Sequence, residues 1–101
     1  MSRYYILDGH TPVACGFMTC ATWLEANCEA LHVARTQNGD VKVSTVFLGI
    51  NHQYGPEGPP MLFETMIFGG AHDEYQDRCS TWEQAEVMHA KACATAFGNA
   101  A

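Results

Sequence analysis

Val41-Lys-Val-Ser-Thr-Val-Phe-Leu-Gly-Ile50 and Met61-Leu-Phe-Glu-Thr-Met-Ile-Phe68 are the two runs whose reading decides the fold. Both are rich in β-branched and aromatic residues, which pack well on a pleated, buried surface. The loop between them, Asn51 to Pro60, is rich in Gly and Pro and carries His52, Tyr54 and Glu57. The reading is two strands at the centre of a sheet, joined by a long, shaped loop. Pairing Ile50 with Met61 puts Glu64 opposite Phe47. One face then carries Val43, Phe47, Leu62, Met66 and Phe68, and the other Val46, Leu48, Ile50, Met61, Phe63 and Ile67. Both faces read as apolar.

Working outward, Arg3–Leu7 reads as a short strand ended by Asp8-Gly9, and Thr11–Met18 as irregular, with a brief extended piece at Pro12–Cys15. Thr22-Trp-Leu-Glu25 fits a capping box, with Thr19 as the rival cap, and predicts a helix to about Leu31. His32–Gln37 is extended and leads into the central strands through Asn38-Gly39, a strong hairpin signal because both central residues of a type I′ turn need positive φ. That turn sets Arg35 opposite Lys42. After the second long strand, Gly69-Gly70 breaks the chain, and Ala71–Cys79 reads as a polar loop. Ser80-Thr-Trp-Glu83 is a second capping box, with Ser80 as the cap. It opens a helix to about Phe97 with a buried stripe of Trp82, Ala85, Met88, Ala92, Cys93 and Ala96. Residues 98–101 are a tail expected to fray.

The order strand, helix, three strands, helix predicts one α+β domain over residues 1–101: a roughly four-stranded, mostly antiparallel sheet with two helices on one face. An uncovered apolar sheet face needs a partner, so a homodimer is expected. Apolar residues at 48% and charged residues at 16% support a packed core rather than disorder. No apolar run reaches the roughly 20 residues that span a bilayer. The N-terminus lacks the pattern of a secretory signal, so a cytoplasmic location is expected. Cys15, Cys20, Cys28, Cys79 and Cys93 form no Cys-x-x-Cys pair and read as reduced, mostly buried thiols.

The net charge is −6, and its placement is uneven. Glu57, Glu64, Asp73, Glu74, Asp77, Glu83 and Glu86 face a single base, Arg78, between Asn51 and Glu86, while the rest of the chain is balanced. A binder of the nucleic-acid backbone needs the opposite sign. The bland reading is a solubilising surface. The sharper one is an acidic face that docks on a basic partner.

The candidate binding residues sit in the two loops: Asn51, His52, Tyr54 and Glu57 in the first, and His72, Asp73, Glu74, Tyr75, Asp77 and Arg78 in the second. Both loops are expected at one end of the sheet. Glu64 interrupts an apolar strand and needs a partner, for which Arg78 is the available base. His52, Glu64, His72 and Asp73 are of the right types to ligate zinc or a similar ion, though their spacing matches no motif. His10, His32 and His89 read as structural. No nucleophile motif, phosphate loop or dinucleotide fingerprint is present, so no catalytic residue and no cofactor is expected.

The runs Val43–His52, Gly58–Gly70 and Ser80–Glu86, with the start Arg-Tyr-Tyr-Ile-Leu-Asp-Gly-His-Thr-Pro, resemble a group of small proteins encoded by bacteriophages and prophages. The resemblance implies no activity. It implies a context, that of a small phage accessory protein in the cytoplasm of a host bacterium. Such proteins often act against host defences. Three functions follow as expectations: an inhibitor that docks an acidic face on a basic host protein, a sponge for a small phosphorylated or cyclic nucleotide, and a metal-dependent enzyme. A binding protein is favoured over an enzyme.

Overall fold

The computed structural model describes residues 3–51 and 58–98. It is α+β, with two antiparallel sheets and two helices. A small sheet holds β1 (Tyr4–Asp8) and β2 (Thr11–Cys15), followed by α1 (Phe17–Ala26). The main sheet has β3 (His32–Asn38), β4 (Val41–Phe47), β5 (Phe63–Phe68) and β6 (Gln76–Cys79), in that order across the sheet. Helix α2 (Trp82–Phe97) packs across all four strands. No helix among the described residues is long and apolar enough to cross a membrane.

The main sheet does have four strands, but not the four read from the sequence. Tyr4–Asp8 pairs with Thr11–Cys15 in a sheet of its own, and Gln76–Cys79 takes the remaining place beside β5. The small hairpin closes through Gly9 at φ +62° and the β3–β4 hairpin through Gly39 at φ +63°, conformations that glycine adopts without a Cβ clash. The second turn therefore centres on Gly39-Asp40. Lys42 faces Gln37, and Arg35 faces Ser44, so the expected Arg35–Lys42 pair does not form.

The central pair is also one residue out from the expected register. Phe47 lies opposite Phe63, Thr45 opposite Thr65, and Val43 opposite Ile67. Side chains alternate along a strand, so a one-residue slip exchanges the faces of one partner relative to the other. The buried face is Val43, Thr45 and Phe47 with Phe63, Thr65 and Ile67, all under 2% exposed. The outer face mixes Val46, Met66 and Phe68 with Lys42, Ser44, Glu64, Gln76 and Arg78. Lys42 covers the Phe68 ring at 5.1 Å from its centroid. The expected second apolar face is absent, and with it that argument for a dimer.

Two apolar clusters lie between sheet and helix. One gathers Leu7, Phe47, Leu62, Phe63, Trp82, Ala85 and Met88, and the other Val43, Ile67 and Ala92. Between them runs a polar seam. His89 bonds Thr45 through Nδ1 at 2.7 Å and Thr36 through Nε2 at 2.9 Å, and Thr45 bonds Thr65. An aromatic row ties the two sheets together. Trp23 of α1 meets Phe47 edge-on at 6.0 Å, Phe47 meets Phe63 at 5.3 Å, and Phe63 meets Trp82 at 6.2 Å. His10 stacks on Trp82 at 3.7 Å, closing the row beneath the small hairpin.

Both helix starts differ from the capping boxes expected. Helix α1 begins at Phe17 after Gly16, which makes no side-chain cap bond, so Thr19 and Thr22 lie inside it. It stops at Asn27, whose side chain and backbone N–H both donate to the Trp23 carbonyl. Helix α2 is capped by Thr81, which accepts from the Gln84 N–H, while the Gln84 side chain accepts from the Thr81 N–H. The box sits one residue beyond Ser80-x-x-Glu83.

Candidate functional site

The acidic third of the chain is built around β6. Gly69 leaves β5 at φ +88°, and a Cβ there would strike the Asp40 carbonyl, so only glycine fits this turn. Asp73 Oδ1 accepts from the Gly69 N–H at 2.7 Å and fixes the loop. Glu74 then donates its N–H to Ile67 O, while Ile67 donates to Tyr75 O, so two residues oppose one. This is a bulge whose first residue is usually glycine, yet Glu74 occupies it at φ +71°. The bulge aims β6 back along β5 as the outermost strand.

On β6 the side chains alternate. Arg78 faces outward and donates from Nε to Glu64 Oε2 at 2.9 Å, and Gln76 Nε2 donates to the same oxygen at 2.7 Å. The Glu64–Arg78 partnership read from the sequence is thus present, as a half-buried pair across neighbouring strands. Asp77 points to the α2 side and accepts the Arg78 N–H on Oδ1 at 2.9 Å. A short edge strand with a charged residue holding one of its own amides is poorly disposed to strand addition. Between β6 and α2 runs a groove of about 410 Å³. Met88 and Cys79 form its floor, Val87 lies along its wall, and Asp77, Glu83 and Lys91 stand at its rim. Burial pushes the Cys79 thiol up to about 11, and its Sγ donates to Thr81 O, so the groove offers no thiolate at neutral pH.

The expected site residues fall in three places. Asn51 lies at the base of the first loop, where Oδ1 accepts from Met61 N–H at 2.9 Å and its own N–H donates to Arg3 O. His52, Tyr54 and Glu57 lie outside the described residues. His72, Asp73, Glu74 and Tyr75 are exposed at the β5–β6 turn, and on β6 Asp77 is exposed and Arg78 partly buried. Asn51 and Met61 lie beyond one end of the β4–β5 pair and the β5–β6 turn beyond the other. At about 3.3 Å per residue, the six residues of β5 separate them by roughly 20 Å. The described base of the first loop and the β5–β6 turn therefore lie at opposite ends of the sheet. Of the metal candidates, Glu64 is held by Arg78 and Gln76, and Asp73 by Gly69. Among the described residues no group of three or more His, Cys, Asp or Glu side chains could hold a metal ion.

Sequence reasoning missed β6 itself, and with it the groove and its α2 wall of Glu83, Val87 and Lys91. The signal was faint: the short spacing from Phe68 to Gln76 suits a hairpin, but Gln-Asp-Arg-Cys carries no apolar alternation. Comparison with known protein families, with curated proteins and with solved structures finds no match.

Proposed function

We propose that this chain is a small binding protein that docks its acidic β6 side on a basic surface of a partner protein. One observation supports the reading above others. Asp73, Glu74, Asp77 and Glu83 are exposed along that side, while Arg78, the base among them, is committed to Glu64. Lys91 at the groove rim is an exposed base, so the field on this side is predominantly, not wholly, negative, and it steers a positively charged partner. The apolar floor of the groove adds a place for one anchoring side chain. With the phage resemblance, the natural partner is a host protein in the bacterial cytoplasm, and the effect is counter-defence inhibition. The nucleotide-sponge reading calls on the two loops and a cleft between two copies, and the described base of the first loop, at Asn51 and Met61, lies at the far end of β5 from the β5–β6 turn. The metal-enzyme reading has no cluster among the described residues behind it.

The test is capture from bacterial lysate, followed by binding measurements on the captured partner at low and high salt. The D77K/E83K variant is expected to associate about tenfold more slowly at low salt, with the gap closing as salt rises. Parent-like binding by a folded variant would overturn the acidic-face reading.

A further inference from the structure

Two of the five cysteines meet where the small hairpin hands the chain to α1. Cys15 ends β2 opposite Tyr4, Gly16 caps the helix, and the Cys20 N–H donates to Gly16 O at 3.0 Å. Cys15 is therefore the residue before the cap and Cys20 the fourth helical residue, two positions whose side chains pack together at a helix start. Cys20 is 2% exposed, with Sγ 3.5 Å from both Tyr5 O and Gly49 O. Those contacts hold it against β1, next to the residue that Cys15 faces. Cys15 is only half-buried, and both are free thiols. Cys28 lies beyond α1, Cys79 on β6 and Cys93 on α2.

We propose that Cys15 and Cys20 are a redox pair, oxidised by a small-molecule disulfide to an intramolecular bond that ties β2 to α1. The Cys15 thiolate attacks one sulfur of the small disulfide and displaces a small thiolate, leaving a mixed disulfide on Cys15. The Cys20 thiolate then attacks the Cys15 sulfur and expels the second small thiolate. Two protein thiols lose two electrons and two protons, and the small disulfide gains both and leaves as two thiols. Only Cys15 has to meet the reagent, which suits the burial of its partner. Burial raises the Cys15 pKa, and so does the Cys20 thiol beside it, so thiolate is scarce at neutral pH and the bond forms under sustained oxidation. The effect is local. Strand β2 has a neighbour on one side only, and the bond fastens its end to the first turn of α1. The pair is independent of the acidic β6 side.

Equilibration of the full chain with reduced and oxidised glutathione, followed by alkylation and peptide mass mapping, tests this. Cleavage after Glu25 separates Cys28 from the pair. The folded parent is expected to lose two hydrogens in the peptide that ends at Glu25. Its equilibrium constant should exceed that of the urea-unfolded chain in the same buffer by about tenfold, because the fold already holds the two thiols together. C15S should show no such loss, whereas C28S, C79S and C93S should keep it. In the oxidised parent the amides of β2 and the first turn of α1 should exchange several-fold more slowly, with Val43 and Ile67 unchanged. A glutathione adduct that stays on Cys15, a bond to another cysteine, or an equilibrium no more favourable than in the unfolded chain overturns the redox pair. Unchanged exchange on β2 in the oxidised protein overturns its role as a tether.

Discussion

His89 is the residue on which the core balances. It is 8% exposed and stands between the two apolar clusters. A neutral imidazole donates through one ring nitrogen and accepts at the other, so it satisfies both Thr36 and Thr45. Neither hydroxyl offers a charge to balance an imidazolium, and burial lowers the His89 pKa below its ordinary 6.5. The unfolded chain therefore takes up this proton at higher pH than the folded chain does. Below about pH 6.5 the unfolded state binds more protons, and this contribution to stability is lost as pH falls. Urea unfolding on either side of that pH should show a smaller loss on acidification in H89Q than in the parent. An equal loss in both would assign the acid sensitivity to other groups. H89A should cost about 1–3 kcal/mol at neutral pH, since it leaves buried hydroxyls without their partner.

Among the elements, α2 illustrates how a cap is chosen. Ser80 and Thr81 both precede residues able to complete a capping box, yet only Thr81 does so. Ser80 N–H instead donates to Gln84 Oε1, joining the same reciprocal arrangement from outside the helix. With the start at Trp82, the stripe Trp82, Ala85, Met88, His89 and Ala92 faces the sheet. Thr81→Ala should therefore lower the unfolding free energy by about 1 kcal/mol. Ser80→Ala should change it by less than about 0.5 kcal/mol. Chemical denaturation of the two variants distinguishes them, and the reverse order would return the cap to Ser80. Helix α1 has no such side-chain cap and buries little of itself, so its stability depends on Cys20, Trp23 and Leu24 packing near β1 and Gly49.

At the scale of the molecule, two units of unequal strength share one core. Strands β4 and β5 are paired on both sides and bury every second side chain. The β1–β2 hairpin is a two-stranded sheet, an arrangement marginal by itself in water. It is held by the Tyr5 N–H to Gly49 O bond at 2.8 Å, the Asn51 N–H to Arg3 O bond at 2.9 Å, and the burial of Leu7. Strand β2 has β1 on one side and places Val13 and Ala14 at the surface. Amide exchange should accordingly be slowest at Val43, Thr45, Thr65 and Ile67 and fastest, among strand residues, on β2. Uniform protection across both sheets would mean that the hairpin unfolds only with the whole molecule.

The sequence by itself determined the elements with a strong local signature. Val41–Phe47 and Phe63–Phe68 are strands because of their β-branched and aromatic residues, and α2 is a helix because its apolar residues recur at helical spacing. Each pattern is a property of neighbours in the chain. The Glu64–Arg78 pair was legible too, because Arg78 was the one base near that carboxylate in the acidic third. Register, strand order and the place of the open surfaces were decided only in three dimensions. A single-residue slip between β4 and β5 leaves every local pattern intact but changes which side chains are buried together. Strand β6 exists because β5 offers it an edge, not because Gln-Asp-Arg-Cys favours a strand. The sequence reading placed both candidate loops at one end, but a meander sends successive turns to opposite ends of its strands, so the described base of the first loop, at Asn51 and Met61, lies at the far end of β5 from the β5–β6 turn.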